Sequence, residues 1–295
     1  MNAKLTLGPV FFNWPPENLR DFYFKIADES CVDSVCVGEV VCSKRAPFFE
    51  PYAAEVIDRL TAAGKEVVHS TLALIMTTRE MDLVRDMAAC EEFFVEANDI
   101  AACALLSGRR HALGPFINVY NEGTLEYLAK GGAERICLPP ELPEKSVSAL
   151  AKTSKAELEV MVFGRLPLAV SARCYHARAH KLTKDNCQYV CAGDADGMEI
   201  ETLDGDPFLA VNGTQTLSHA YYNLAAELAA LLAIGVKRFR LSPHHTDMTA
   251  VARLFKDVLE AKESPEDAEA ALAELVGGAP FSNGYFHGRE GGRRL

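Results

Sequence analysis

The feature that most constrains this chain is an alternation: a short apolar run followed by a longer amphipathic run, repeated eight times. The apolar runs fall at residues 4–10, 34–39, 65–71, 93–97, 116–120, 135–138, 157–164 and 238–242. They carry few charges, as strands do when both faces of a parallel sheet are covered. The amphipathic runs are expected as helices over 16–27, 51–63, 79–89, 98–106, 122–130, 144–152, 219–233 and 248–260. The first opens on Pro16, which the first turn of a helix tolerates. Several others stop at glycine just before the next strand, at Gly64, Gly131–Gly132 and Gly235, where a left-handed cap suits glycine.

Eight strands alternating with eight helices predict a (β/α)8 TIM-barrel-like α/β fold. An open doubly wound sheet has the same alternation. The first βα turn, Leu7-Gly8-Pro9-Val10, carries one glycine and no GxGxxG, which argues against a dinucleotide-binding version. The expected division is a single barrel over 1–285 and a Gly/Arg-rich flexible tail over 286–295. The rhythm breaks once, in a stretch of more than fifty residues between Gly164 and Ser218 without a clear helix. Long internal loops of this kind are commonly functional. The insertion, 165–217, is expected to form a small hairpin-bearing subdomain after strand seven, on the face where barrel active sites form.

A formal net charge of −11 disfavours nucleic acid as a main partner, because an acidic surface repels phosphates. The longest greasy stretch, 228–236, is well short of the roughly 18 residues a transmembrane helix needs. The first residues lack the apolar run and cleavage site of a signal peptide. The cytoplasm is therefore the expected compartment, and the 9 cysteines are expected there as reduced thiols, not disulfides.

Those cysteines sort into two groups. Cys31, Cys36, Cys90, Cys103 and Cys137 lie in or beside expected helices and strands and read as small buried hydrophobes. Cys42 follows strand two, while Cys174, Cys187 and Cys191 lie in the long insertion. All βα loops of a parallel barrel emerge at one end, so these four share a face. Four thiolates suit zinc or an iron–sulfur cluster. Structural zinc favours paired C-x-x-C knuckles, whereas this chain has one C-x-x-x-C and two distant single cysteines. A [4Fe–4S] cluster is the leading reading of that spacing, with zinc and four unrelated thiols as the alternatives. Nothing completes a C-x-x-x-C-x-x-C triplet after Cys191, which argues against radical-SAM chemistry.

Polar side chains near the expected strand ends share this face: Glu39, Lys44 and Arg45; Glu96 and Asn98; Asn118, Tyr120 and Asn121; Arg165; Ser242 and His244. The candidates for a chemical role are Glu39 as a proton carrier or as an acceptor positioning the Cys42 loop, and Lys44, Arg45 or Arg173 as cations offsetting a cluster or binding an anionic cosubstrate. Adjacent His244 and His245 diverge and read as loop residues.

The segment Glu159-Val160-Met161-Val162-Phe163-Gly164-Arg165-Leu166-Pro167-Leu168-Ala169-Val170-Ser171-Ala172-Arg173-Cys174 resembles the signature of the collagenase-like U-class peptidase family. Members usually carry cysteine where Pro167 stands and glycine at Ala172. These departures argue against peptidase activity and point to one branch of the family. Further similar segments include Leu7–Val10 with Trp14-Pro15, Gly38–Arg45, Ser70–Leu74, Asn212–Thr216 and Leu241–Pro243 with Thr246-Asp247, so the resemblance runs from residue 7 to about 285. It implies work in oxygen-independent ubiquinone biosynthesis with a UbiU-like partner as heterodimer or higher assembly. The implied reaction is hydroxylation of the aromatic ring of a prenylated phenol precursor, with prephenate as a candidate oxygen source. It also implies a [4Fe–4S] cluster on Cys42, Cys174, Cys187 and Cys191. Two other roles stay open: an assembly partner whose cluster only stabilises the loop, and a peptidase, for which no Ser/His/Asp order or HExxH motif is present.

Overall fold

A computed structural model describes residues 3–295. In chain order its elements are β1 (Lys4–Leu7), α1 (Pro16–Glu29), β2 (Ser34–Val37), α2 (Ala46–Ala62), β3 (Glu66–Ser70), α3 (Thr78–Ala89), β4 (Val95–Ala97), α4 (Ile100–Leu105), β5 (His111–Leu113), α5 (Glu122–Lys130), β6 (Ala133–Cys137) and α6 (Glu144–Thr153). There follow β7 (Glu157–Val170), α7 (Tyr175–Ala179), a 3-10 turn (Val190–Gly193), β8 (Met198–Glu201), β9 (Pro207–Asn212), β10 (Gln215–Asn223), α8 (Leu228–Ala233), β11 (Arg238–Leu241), α9 (Met248–Leu259), α10 (Pro265–Leu275) and β12 (Phe281–Ser282).

Strands β1 to β7 pair in sequence order, all parallel, and β11 closes the ring by pairing with both β1 and β7. This is the expected eight-stranded barrel. Its helices bury one face each. In α2, for example, Val56 and Leu60, four residues apart, are fully buried.

The barrel interior departs from the apolar filling common to this architecture. Strand residues two apart share a face, so Arg238 and Arg240 of β11 both point inward while Phe239 and Leu241 pack against the helices. Arg240 Nε donates to Glu159 Oε2 at 2.7 Å, and its Nη2 pairs with Glu96, all three residues being buried. Arg238 donates to Glu157 (2.8 Å) and Ser34 (2.7 Å), and Arg135 to Glu66 (2.8 Å). Opposite charges on neighbouring strands and across the ring thus replace hydrocarbon at the barrel's centre. Glu96, expected at the mouth, belongs to this interior lattice.

Two expected elements are corrected. The fifth strand is His111–Leu113, not 116–120. The later segment is a loop whose Ile117 and Val119 are buried, so its apolar residues cover core without joining the sheet. The expected helix over 219–233 begins as strand. β10 runs to Asn223, and only Leu228–Ala233 is helical. The cause is tertiary: β7 extends for 14 residues, past the barrel rim, and β10 pairs antiparallel with that extension. β9 and β8 add to β10 antiparallel, so the insertion is a small sheet built on β7. It contains the expected hairpin, β8–β9, and also one helix, α7.

Beyond the barrel, α10 packs on α9 and β12 pairs with β10. Within the last residues, Leu295 N–H donates to Asn283 Oδ1 (2.9 Å) and Arg294 Nη1 to the Asn223 carbonyl (3.0 Å). No described helix is long and apolar enough to cross a membrane.

Candidate functional site

Cys42, Cys174, Cys187 and Cys191 line one small enclosure at the barrel mouth, together with Lys44, Arg45, Lys184 and Gly213. Cys42 comes from the loop after β2 and the other three from the insertion. Cys174 and Cys191 are buried, Cys42 and Cys187 half-buried.

Local bonding holds each loop in place. Glu39 Oε1 accepts the backbone N–H groups of Val41 and Cys42, both at 2.8 Å. Gly38 lets this turn form: its φ is +142°, and a Cβ would stand 2.4 Å from the Ser70 carbonyl oxygen. Ser43 Oγ donates to Glu80 at 2.6 Å, tying the loop to the capping box of α3. On the insertion side, Cys174 is the N-cap of α7, its sulfur accepting from Ala177 N–H at 3.3 Å. Thr214 Oγ1 donates to the Val41 carbonyl (2.9 Å), joining the two loops.

Arg45 stands between the cysteines and is 4% exposed. Its guanidinium donates to the Phe11 carbonyl (3.0 Å), to Asn212 Oδ1 and to Cys191 Sγ (3.5 Å). Asn13 Nδ2 donates to the same sulfur at 3.4 Å. Gly213 makes room for this arginine, since a Cβ there would lie 2.5 Å from Nη2 at a φ of +62°. Burial pushes the Cys42 thiol up, with Arg45 pulling it down; burial also raises Cys174. Burial raises the Glu39 carboxyl, again against Arg45.

The other candidates separate clearly. Lys44 Nζ donates to the Lys184 carbonyl at 2.6 Å and so holds the insertion. Arg173 is exposed, and its backbone N–H donates to Ser171 Oγ at 3.1 Å. Among the three cations proposed from sequence, Arg45 is the one whose side chain hydrogen-bonds a cysteine. Asn121 caps α5 through Thr124 N–H. Arg165 is spent on the Ser218 and His219 carbonyls.

Two residues hold the site more firmly than their sequence context suggests. Asn13 has no local motif to mark it, only its place in the loop after β1. His244 is no mere loop residue: its Nε2 accepts Arg165 N–H at 2.9 Å, and its Nδ1 lies 3.2 Å from Asp196 of the insertion. It latches the insertion to β7 and β11.

Among the described residues, no three His, Cys, Asp or Glu side chains are grouped tightly enough to hold a single ion. Four thiols from two loops, N–H donors aimed at two of the sulfurs and a buried cation beside them are a donor set suited to a thiolate-bound metal centre, an iron–sulfur cluster included.

Among solved structures, the chain is similar to a tryptophan synthase complex from Pyrococcus furiosus, at 11% identity and a TM-score of 0.44 over 93% of this chain and 98% of that one. It is also similar to phospho-2-dehydro-3-deoxyheptonate aldolase from Thermotoga maritima, at 12% identity and a TM-score of 0.42 over 95% of this chain and 72% of that one. Likenesses this distant carry no argument about chemistry. The family model of peptidase family U32 matches residues 18–295, which is nearly the whole chain, and the chain belongs to that family.

Proposed function

We propose that this chain is a UbiV-like iron–sulfur subunit. It would hold a [4Fe–4S] cluster on Cys42, Cys174, Cys187 and Cys191 and act in the cytoplasm with a UbiU-like partner. Their joint reaction would be the oxygen-independent hydroxylation of the ring of a prenylated phenol during ubiquinone biosynthesis. The observation that carries the reading is the convergence of four cysteines, more than 130 residues apart at their extremes, on one enclosure beside a buried arginine.

A cluster bound there supplies electron transfer or Lewis acidity. The chain's own residues do the rest. Arg45 places a fixed positive charge beside the thiolates. Asn13, Arg45 and Ala177 donate N–H to their sulfurs. Glu39 and Glu80 fix the Cys42 loop, and the Asp196–His244 contact holds the insertion over the mouth. The oxygen donor, for which the resemblance names prephenate, would enter from the solvent side of Cys42 and Cys187.

The test is anaerobic purification with iron and sulfide quantitation. About four of each per chain, lost in Cys→Ala variants at 42, 174, 187 and 191 but kept in Cys103→Ala, supports the cluster. Zinc without sulfide replaces redox chemistry with a structural site. No metal in any anaerobic preparation defeats the reading.

A second reading has the cluster act only as a staple while the partner performs the chemistry. The burial of Cys174 and Cys191 favours it. It predicts that cluster-free variants, if still bound to the partner, retain ring hydroxylation.

A further inference from the structure

A larger cavity, of about 210 Å³, adjoins the cysteine enclosure. It lies between the loop after β1, the turn after β2 and helices α1 and α2. Phe12, Trp14, Tyr23, Phe48 and Phe49 supply much of its wall. An apolar cavity of about 150 Å³ accommodates benzene, so this one has space for a substituted ring. A long apolar tail would not fit beside that ring. Phe48, at 44% exposure, marks a mouth through which such a tail could leave, and its ring meets Tyr189 of the cysteine loop at 4.8 Å.

Besides the exposed Glu50, three polar side chains interrupt the aromatic wall: Asn13, Glu39 and Arg45. Each also touches the cysteine site. Asn13 and Arg45 donate to Cys191 Sγ, and Glu39 accepts Cys42 N–H. One hydrogen-bonding capacity is left over. Glu39 Oε2 accepts no hydrogen bond from the described residues, its bonds falling on Oε1. A ligand hydroxyl supplies the missing donor.

We propose that this cavity binds a phenol ring, its hydroxyl donating to Glu39 Oε2 while the ring packs among the aromatic side chains. This places the aromatic substrate on the present chain and not on its partner, one wall away from Cys191. The inference deepens the proposed function and rests on it for the ring's status as a substrate. The binding itself is a separate claim.

Trp14 is the chain's 1 tryptophan, so its emission reports on this cavity alone. Anaerobically purified full-length protein is titrated with para-ethylphenol and with the corresponding methyl ether, exciting beyond the probes' own absorption. A saturable change in emission is expected, with the ether binding about tenfold more weakly because it cannot donate to a carboxylate. Glu39→Gln is expected to erase that preference. Ala53→Phe fills the cavity from α2 and is expected to abolish binding while leaving iron per chain unchanged. No saturable response to the phenol, equal affinity for the ether, or unchanged binding in Ala53→Phe would each overturn the proposal. Iron is measured on the same samples. Protein that binds the phenol but holds no iron loses the cluster and keeps the cavity; protein that holds iron and ignores the phenol does the reverse.

Discussion

Buried arginines occur at two levels of this barrel, and they face different partners. Inside the ring, Arg238 and Arg240 meet the carboxylates of Glu157, Glu159 and Glu96, hard oxygen anions already present in the chain. At the mouth, Arg45 meets a thiol, a carbonyl and an amide, with Glu39 nearby. The interior lattice pairs each arginine with carboxylates of the same chain. The mouth gathers a cation and N–H donors around four thiols. Cys36 and Cys137 make the same contrast: they face the interior, beside Glu96 and Glu159, and burial raises both thiols far above the ordinary range. The two sets differ in their neighbours: carboxylates beside Cys36 and Cys137, a guanidinium beside Cys191.

The strongest break of this comparison is Arg240→Met. It strands Glu96 and Glu159, both fully buried, and should cost about 3–5 kcal/mol, read as a lower urea midpoint. Iron per folded chain should be unaffected, because the lattice does not touch Cys42, Cys174, Cys187 or Cys191. Arg45→Met should do the opposite. Its stability cost should be smaller, about 1–3 kcal/mol from the acceptors it leaves unpaired. Iron retention should fall, and the reduction potential of any retained cluster should become more negative. Arg45→Lys should recover part of the potential but little of the hydrogen bonding, since an ammonium lacks the guanidinium fork.

A third prediction concerns acid. Burial lowers His69, stacked on Phe93 at 3.8 Å, to about 4. The unfolded imidazole binds its proton near 6.5 and the folded one only near 4, so stability is fully present above pH 6.5 and is lost as pH falls between those values. The loss is at most about 3 kcal/mol by linkage, and residual solvent access reduces it towards about 2. His69→Phe should flatten that part of the stability profile, measured by denaturation from pH 7 to 4. The smallest effect is expected at Arg173→Ala: within about 0.5 kcal/mol of wild type, with iron content unchanged, as suits an exposed side chain next to Cys174 but not bonded to it.

The alternation in the sequence was enough to see the barrel, because apolar period and glycine stops are local signals. The errors fall where the deciding contact is remote. Residues 116–120 look like a strand by composition, yet the short His111–Leu113 run takes the sheet position, and nothing in those three residues announces it. Residues 219–223 join a strand because β7 overshoots the barrel and offers an edge, which no window around Tyr221 contains. The inward charges of β11 were visible as alternate arginines in Arg238-Phe239-Arg240-Leu241, but their carboxylate partners lie 81 and 144 residues away. At the mouth, topology alone was sufficient to gather the four cysteines, and Arg45 drew notice by standing near Cys42. Asn13 and the cavity behind it depend on how α1 and α2 lean together, which only three dimensions reveal.

The arrangement of β11 also bears on how the chain is made. Glu96 and Glu159 emerge from the ribosome well before Arg240, their counter-ion on the strand that closes the ring. Until that strand arrives, the growing sheet carries carboxylates that must stay hydrated, so its concave face cannot dry and collapse early. Ring closure therefore waits for a strand made after Cys42, Cys174, Cys187 and Cys191 have all been delivered.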